Sequence, residues 1–524
     1  MDRREFLKLG AGAAAIGIGS RGLPGALASA SRQVSVPRLS GMATRGGTLT
    51  MALPADPGTL DFLTSTLDVL RHSIRSCVLD TLVHVGPDLK FSPGVAASWA
   101  FSSDAKTLTV KLRPGLKYHD GSPCSAADIA YTVGWLNNPK NGSAIAVLTS
   151  NIASVDVVDT LTAKLRLTAP TLGLVASLTQ VPLFNARTVG TMNKNPIGLG
   201  PFKFVSYTPG ENITVTRNPD YYISGLPYLD SIIWPFVTDA QSSLEDLLSG
   251  SVLAVDSLAI ANVGAVQNAS NAKLVESGPI NLYEVFQINT KRPPFNNKAV
   301  RQAISYAMNR DVYCKAIWDG LAQPSDTPYV GQMPSYLAGS ATRYSYDLNK
   351  TKSLLASAGF TKQRPLTMNI LTPEPTALPT LAAMAATLQS TLNSLGHKVT
   401  TTGLAAAPWI DKIVTHPDYD VTTDNYNTVP IDPGTILTTS NYDPSDNVNQ
   451  FDPPAYASLV KEATSEANPT KRQQLYKEIQ SYLLDEQPCV IVDHFPVLIG
   501  ASKRVNGLVP LPIGPYDYSR VYLS

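Results

Sequence analysis

Strand and helix signals alternate along the 524-residue chain from Gly47 onward, and this intermixing limits the possible folds more than any other feature. Residues 107–113 alternate apolar and polar side chains, as a half-buried strand does, and Pro114-Gly115 ends the pattern. Ser125, with Asp128 three residues later, then predicts a capping box at the start of a helix. One hydrophobic core rarely serves more than about 250–300 residues. The pattern therefore predicts an α/β protein of two or three domains.

The remaining elements follow the same alternation, with no internal repeat. Thr470 and Gln473 have the spacing of a second capping box. The polar segment 421–453 is too long for a simple connector, and such segments tend to be functional. Period-two patterns predict strands at 48–52, 154–158, 161–167, 202–207 and 213–217. Helical spacing predicts helices at 68–85, 297–309, 348–358, 378–395, 454–466 and 470–485.

The first thirty residues have the layout of an export signal. Arg3 and Arg4 form a charged start, a short stretch of Gly, Ala and Ile follows, and small residues at 26–30 form A-x-A cleavage sites. Paired arginines are typical of a signal that the twin-arginine translocase reads as an address. We therefore expect residues 1–30 to be this signal and 31–46 to be a flexible leader. The mature protein is expected to be soluble and periplasmic.

Composition argues against several classes of function. Lys plus Arg (42) nearly balance Asp plus Glu (41), giving a net charge of +1, and no basic cluster suggests binding to a nucleic acid. The histidines and cysteines lack the spacing of metal ligands, so we expect no metal site and no cofactor. Cysteines this few and this far apart are expected to be buried small hydrophobic residues. The sequence leaves open whether any two of them form a disulfide: Cys77, Cys124, Cys314 and Cys489.

A series of short motifs runs in order over nearly the whole mature chain. They include Gly46-Gly-Thr-Leu49, Asp56-Pro-Gly-Thr-Leu-Asp61, Pro93-Gly-Val-Ala-Ala-Ser-Trp99, Leu108-Thr-Val-Lys-Leu-Arg-Pro-Gly115, His119-Asp-Gly121, Asn195-Pro-Ile-Gly-Leu-Gly-Pro-Phe202, Arg217-Asn-Pro-Asp-Tyr-Tyr222, Val300-Arg-Gln-Ala303 and Tyr346-Asp-Leu-Asn-Lys350. The series resembles family 5 of the extracellular solute-binding proteins, the peptide, nickel and opine receptors of ABC importers.

This resemblance implies a two-lobed periplasmic binding protein fold, of the large cluster C type, that encloses its ligand in a cleft between the lobes. The first lobe is expected at 47–284, with 494–524 returning to it, and the second at 290–488. The two segments 285–289 and 489–493 are expected to form the hinge. The implied function is capture of a small polar solute (peptide-like, opine-like or a glycan) by a monomer. The solute then passes to an ABC permease complex in the inner membrane, with no enzymatic step.

Residues 419–433 resemble the family's segment that reaches the ligand. In that family a Gly-Trp pair precedes an Asp, which in peptide receptors pairs with the free α-amine of the peptide. Matched on the flanking Tyr-Asp and Asp-Pro pairs, Asn425-Tyr426 replaces Gly-Trp and Val429 takes the place of that Asp. A buried ammonium without a counter-charge is costly, so a free peptide N-terminus is disfavoured. Asp424 is an alternative partner for an amine, and Asn427 belongs to the same candidate set.

Trp409 and His416 complete the candidate ligand-binding residues. They lie seven positions apart, so they would share one face of a helix over 406–416. Trp409 is interpreted equally well as an aromatic wall for the solute or as a core residue. For His416, a surface position is the alternative to a ligand contact.

Two other functions compete with transport. An exported enzyme is one, but the chain has no G-x-S-x-G, no H-E-x-x-H and no cysteine cluster. A periplasmic sensor or chaperone on the same fold is the other, and the sequence does not separate it from a transport receptor.

Overall fold

The chain folds into two compact units in the computed structural model, which describes residues 43–65, 67–277, 282–331, 333, 335–374, 378–427, 433–437, 439, 441–511 and 516–524. The first unit contains the described residues of 43–277 together with 497–524. The second unit contains the described residues of 282–496. The chain therefore crosses between units twice.

Short turns join strands and helices throughout both units. The strands are β1 (Thr48–Ala52), β2 (Val83–Val85), β3 (Phe91–Pro93), β4 (Ala96–Phe101), β5 (Thr107–Leu112), β6 (Ile152–Val157), β7 (Thr162–Leu167), β8 (Phe202–Thr208), β9 (Asn212–Arg217), β10 (Ser231–Pro235), β11 (Ala254–Val255), β12 (Ala272–Glu276), β13 (Leu282–Ile288), β14 (Gln323–Pro324), β15 (Thr367–Pro373), β16 (Lys398–Leu404), β17 (Val421–Asn427), β18 (Cys489–His494), β19 (Leu498–Ser502), β20 (Val505–Asn506) and β21 (Tyr522–Leu523).

The helices are distributed over both units. They are α1 (Asp68–Leu70), which continues as a π-turn over Arg71–Arg75, α2 (Ala126–Leu136), α3 (Leu174–Ser177), α4 (Ala240–Ser249), α5 (Val263–Asn268), α6 (Lys298–Ala307), α7 (Arg310–Ile317), α8 (Leu348–Ser357), α9 (Pro379–Ser394), α10 (Ala406–Ile410), which continues as a π-turn over Asp411–Thr415, α11 (Pro433–Ile436), α12 (Pro454–Ser465) and α13 (Pro469–Glu486).

The first unit is built on a seven-stranded sheet with the order β12-β19-β11-β1-β10-β9-β8. β1 lies between β10 and β11 and is parallel to both. Apolar side chains such as Trp234, Phe202 and Leu49 fill its core without exposed surface. A second sheet, β4-β5-β7-β6, is wholly antiparallel and packs one face against α2. The first unit therefore contains two separate cores.

The second unit is built on a mixed six-stranded sheet with the order β14-β18-β13-β17-β15-β16. β13 lies between β17 and β18 and is antiparallel to both. Six of its seven residues are buried, as expected for a central strand covered on both faces. The sheet is mixed because β15 runs parallel to its two neighbours.

Most of the elements predicted from the sequence form within one or two residues of their expected bounds. β1 spans the predicted strand, and the capping box of Ser125 and Asp128 opens α2. The predicted helix 68–85 ends early instead, because 83–85 pairs as β2 with β3. The predicted capping box at Thr470 is wrong. Asn468 is the N-cap of α13, and its side chain accepts from the backbone N–H groups of Thr470 and Lys471.

The segments expected to form the hinge lie inside the second unit. Residues 285–288 belong to β13 and 489–493 to β18, and these strands pair side by side. The chain passes from the first unit to the second between the described residues 277 and 282, and it returns at 496–497. The position of a hinge stays a prediction. Among the described residues, no helix has both the length and the apolar character that crossing a membrane requires.

Gly200 provides a test of this packing. A Cβ atom there would lie 2.3 Å from the Cys77 carbonyl oxygen, and the Gly200 N–H donates to the Val78 carbonyl. We expect Gly200→Ala to lower the free energy of unfolding by about 3 kcal/mol, the upper end of what overpacking usually costs. Gly134→Ala is the control, because a Cβ atom added at Gly134 in α2 would meet no atom within 4 Å. Gly134→Ala should raise the free energy of unfolding by up to about 1 kcal/mol. Equal urea midpoints for the two variants would contradict this packing.

Candidate functional site

The β13–β17 pair carries most of the candidate residues that the structure describes. Asp424 lies opposite Val285 and Tyr426 opposite Tyr283 on one face of the sheet. Asn425 lies opposite Glu284 and is half-buried on the other face. Successive side chains of a strand point to opposite faces. The sequence-predicted set is therefore divided between the two sides of the sheet.

Gln287 joins two of these candidates. Its Nε2 donates to Asp424 Oδ2 at 2.9 Å and to the Tyr426 hydroxyl at 3.0 Å. The Asp424 carboxylate also accepts from the Asn425 backbone N–H at 2.8 Å. Burial raises the pKa of Asp424 to about 7, although these hydrogen bonds act in the opposite direction. The carboxylate is therefore held within the sheet by its own neighbours.

Aromatic rings surround Tyr426. Tyr283 stacks on it with centroids 5.8 Å apart and an interplanar angle of 15°. His494, from β18, meets Tyr283 edge-on at 5.9 Å. The Tyr283 hydroxyl accepts from Asn441 Nδ2 at 3.3 Å. An aromatic group with hydrogen-bonding edges suits a polar organic solute better than a metal ion. In the described part of the chain, no cluster of three or more His, Cys, Asp or Glu side chains is suited to a metal ion.

Trp409 and His416 occupy different environments. Trp409 is buried against Ile413, Val414 and other apolar residues, and its indole N–H donates to Thr422 Oγ1 at 2.9 Å. His416 has 76% of its side chain exposed and lies 3.0 Å from Asp411. The prediction that Trp409 and His416 share one face of a helix is wrong, because the helix passes into a π-turn that ends before His416. Their ligand-binding roles stay predictions.

Two other candidates are described in part or not at all. Asn427 ends β17, and its backbone pairs with Leu282. Val429 lies outside the described residues.

A buried pair of acids was not predicted from the sequence motifs. Glu284 and Asp493 have no exposed surface and lie opposite each other on β13 and β18. Tyr313 donates its hydroxyl to Glu284 at 2.5 Å, and Trp318 donates its indole N–H to the same oxygen at 3.3 Å. Burial raises the pKa of both acids, and for Asp493 the charge of Glu284 raises it further. The Glu284 backbone N–H donates to Asp493 Oδ1 at 3.2 Å, and repulsion between two buried carboxylates favours keeping a proton on at least one of them.

A sequence signal for these acids existed. Each is a lone acidic residue inside an apolar run, Tyr-Glu-Val-Phe in β13 and Val-Ile-Val-Asp in β18. Acidic residues are almost never fully buried unless paired. All four cysteines are buried, as expected, and free.

The matches to known proteins cover most of the chain. The bacterial extracellular solute-binding proteins, family 5, match residues 90–478. The glutathione-binding protein of Pectobacterium atrosepticum is 30% identical over 301 residues, which cover 56% of this chain and 58% of that protein. A putative ABC transporter peptide-binding protein of Brucella ovis is 28% identical over 411 residues, which cover 74% and 75%.

Solved structures agree with the sequence relatives. The binding protein AgaA from A. tumefaciens R10, solved in complex with agropinic acid, has a TM-score of 0.75 and 25% identity. The match covers 91% of this chain and 99% of AgaA. The expected α/β fold of a two-lobed periplasmic binding protein is confirmed.

Asp424 leads to a prediction about pH. Its raised pKa means that the folded state keeps a proton that the unfolded state loses, so its contribution to stability is present below about pH 4 and is lost as the pH rises toward 7. Asp424→Asn mimics the protonated form. We expect the free energy of unfolding of the variant to equal that of the unaltered protein near pH 4 and to exceed it by roughly 3–4 kcal/mol at about pH 8.

Asp418→Asn is the control with the opposite sign. Arg292 holds the pKa of Asp418 below its usual value, so this variant should lose stability relative to the unaltered protein as the pH rises. Urea midpoints measured between these pH values test both. A difference between Asp424→Asn and the unaltered protein that does not change with pH would contradict the assignment of Asp424.

Proposed function

The chain belongs to family 5 of the bacterial extracellular solute-binding proteins, and on that premise we propose that it captures a small polar solute and delivers it to the permease of an ABC importer. The match over 90–478 carries this proposal. The organisation into two α/β units supports it, because ligand contacts that favour one arrangement of domains shift the population toward that arrangement. In this proposal the protein acts as a monomer and performs no covalent chemistry.

We further propose that the solute lacks a free α-amine. Val429 stands where peptide receptors of the family carry the Asp that pairs with this amine. Asp424, the alternative partner, already accepts hydrogen bonds from Gln287 and from the Asn425 backbone. Removing one partner of a buried charge pair typically costs about 3–5 kcal/mol. N-blocked peptides, opine-like conjugates and glycans are therefore the solute classes to test.

The proposal is tested with a matched pair of peptides. We expect N-acetyl-trialanine to bind more tightly than trialanine by roughly two to three orders of magnitude in isothermal titration calorimetry, because only trialanine carries an unpaired ammonium. Val429→Asp should reverse the order by supplying a counter-charge. Trialanine bound as tightly as its acetylated form by the unaltered protein would overturn the specificity. A panel of opines, glycans and blocked peptides with no binder at all would overturn the solute-binding role.

The export route is also a proposal. It rests on Arg3-Arg4 and on the A-x-A sites before residue 31. Replacing both arginines with lysine keeps the charge but removes the recognised pair, so uncleaved precursor should remain in the cytoplasm. Cell fractionation with immunoblotting measures this, and replacement of Lys8 with Arg is the control. Normal periplasmic delivery of the double-lysine variant would contradict the twin-arginine assignment.

A further inference from the structure

In the seven-stranded sheet of the first unit, three parallel strands end together at one edge of the sheet. β10 and β11 flank β1 and run parallel to it, so their carboxyl ends lie at the same edge. The chain passes from β1 to β10 on one side and later to β11 on the other, which makes β1 a topological switch point. Open α/β sheets bind ligands outside the carboxyl ends of strands at such a point.

Asp256 follows β11 directly at this edge. It is 2% exposed, and its backbone N–H donates to the Ala52 carbonyl at the end of β1. One carboxylate oxygen lies 2.7 Å from His72 Nδ1, and the other accepts from the Tyr516 hydroxyl. The His72 and Tyr516 rings are 4.9 Å apart. Asp256 and Tyr516 therefore fix the orientation of the His72 ring.

His72 has one ring nitrogen available. The residue is 7% exposed, and its Nε2 is neither fully enclosed nor hydrogen-bonded to any described residue. Burial lowers the pKa of His72, but the charge of Asp256 and its hydrogen bond outweigh this effect, so the pKa is raised. Protonation of the ring is therefore easier than in a free imidazole, and in the protonated form Nε2 is a charged donor.

Arg71 adds a second cation beside His72. Its Nε is buried and has no hydrogen-bond partner in the described part of the chain. The nearest carboxylate, the half-exposed Asp68, lies 3.8 Å away, too far for a hydrogen bond. The positive charge of Arg71 acts to lower the pKa of His72, so the two cations are close enough to repel each other. An anion between them would relieve this repulsion, whereas a metal cation would increase it.

We propose that His72 and Arg71 bind a carboxylate group of the solute at this edge of the first unit. This inference rests on the proposed solute-binding function and adds an acidic group to the solute. Imidazolium and guanidinium groups form short, charge-assisted hydrogen bonds with carboxylates. The carboxylate comes from a small free acid or from the C-terminus of a blocked peptide, and the chemistry at His72 is the same for both.

The experiment uses the full chain and three probes. Succinate represents a small acid, N-acetyl-dialanine a peptide carboxylate, and the C-terminal amide of N-acetyl-dialanine a neutral match. Calorimetry measures affinity, and NMR of ¹⁵N-labelled histidine follows the imidazole of His72. His72→Gln removes the charge. His84→Gln is the matched control in the same unit, because His84 Nε2 lies 2.6 Å from Asp80 in a similar pair, and β2, which carries His84, belongs to a different sheet.

We expect at least one acid to bind and to shift the His72 signal, while the amide does not. His72→Gln should weaken binding of that acid by roughly ten- to a hundredfold, and His84→Gln should leave it unchanged. Binding by succinate alone or by the peptide acid alone identifies the source of the carboxylate. An amide bound as tightly as the acid, or a His72 signal that neither acid moves, would overturn the proposal. The NMR result stands even if a variant fails to fold. If the acids fail in either of these ways but another solute of the panel binds, this inference fails while the solute-binding role stands.

Discussion

The sheet of the second unit encloses two buried acids, Glu284 and Asp493, whose pKa values are both raised by burial. Both side chains lie without exposed surface in the centre of the sheet, on strands that pair directly. Two ionised carboxylates buried opposite each other in a low dielectric repel, so one negative charge on the pair is favoured over two. Tyr313 and Trp318 donate to Glu284 and stabilise that single charge. Protonation of one of the two acids therefore favours the pairing of β13 with β18.

The same strand supports the candidate site on its other face. Glu284 projects toward α7, where Tyr313 lies, whereas its neighbours Tyr283 and Val285 project to the opposite face. That face carries Gln287, which holds Asp424 and Tyr426. Because side chains alternate along a strand, a shift of one residue in register would exchange the two environments. The acid pair and the aromatic group thus fix the same register of β13 from opposite sides.

Local patterns predicted most elements of the fold, and they failed where partners are distant in sequence. The strand at 48–52 followed from alternation alone. The helix expected over 68–85 ended early because residues 83–85 pair with β3, a contact that helical periodicity does not encode. The environments of Trp409 and His416 were not separable by their spacing, since a π-turn between them changes the helical phase.

The candidate sites show the same limit. His72 has no ligand-like spacing in the sequence, because its partner Asp256 lies 184 residues away and Tyr516 lies 260 residues beyond that. The parallel pairing of β1 and β11 positions Asp256, and His72 and Tyr516 contact it there. The resemblance to a known family led to candidate ligand-binding residues in the second unit but to none in the first unit. Site prediction from spacing alone is therefore restricted to residues on one element or on neighbouring turns.

The two proposed sites, one in each unit, constrain the solute independently. In the second unit, the groups around Tyr426 are aromatic rings and amides, and its nearby carboxylate is already engaged by Gln287. In the first unit, His72 and Arg71 present donors with positive charge, and only one of the two cations has a close carboxylate partner. Under these proposals, the described groups of the second unit offer no unpaired anion to a free ammonium, and those of the first unit offer two cations to a carboxylate. An acidic solute with a blocked or absent amine satisfies both conditions, and a simple cationic solute satisfies neither.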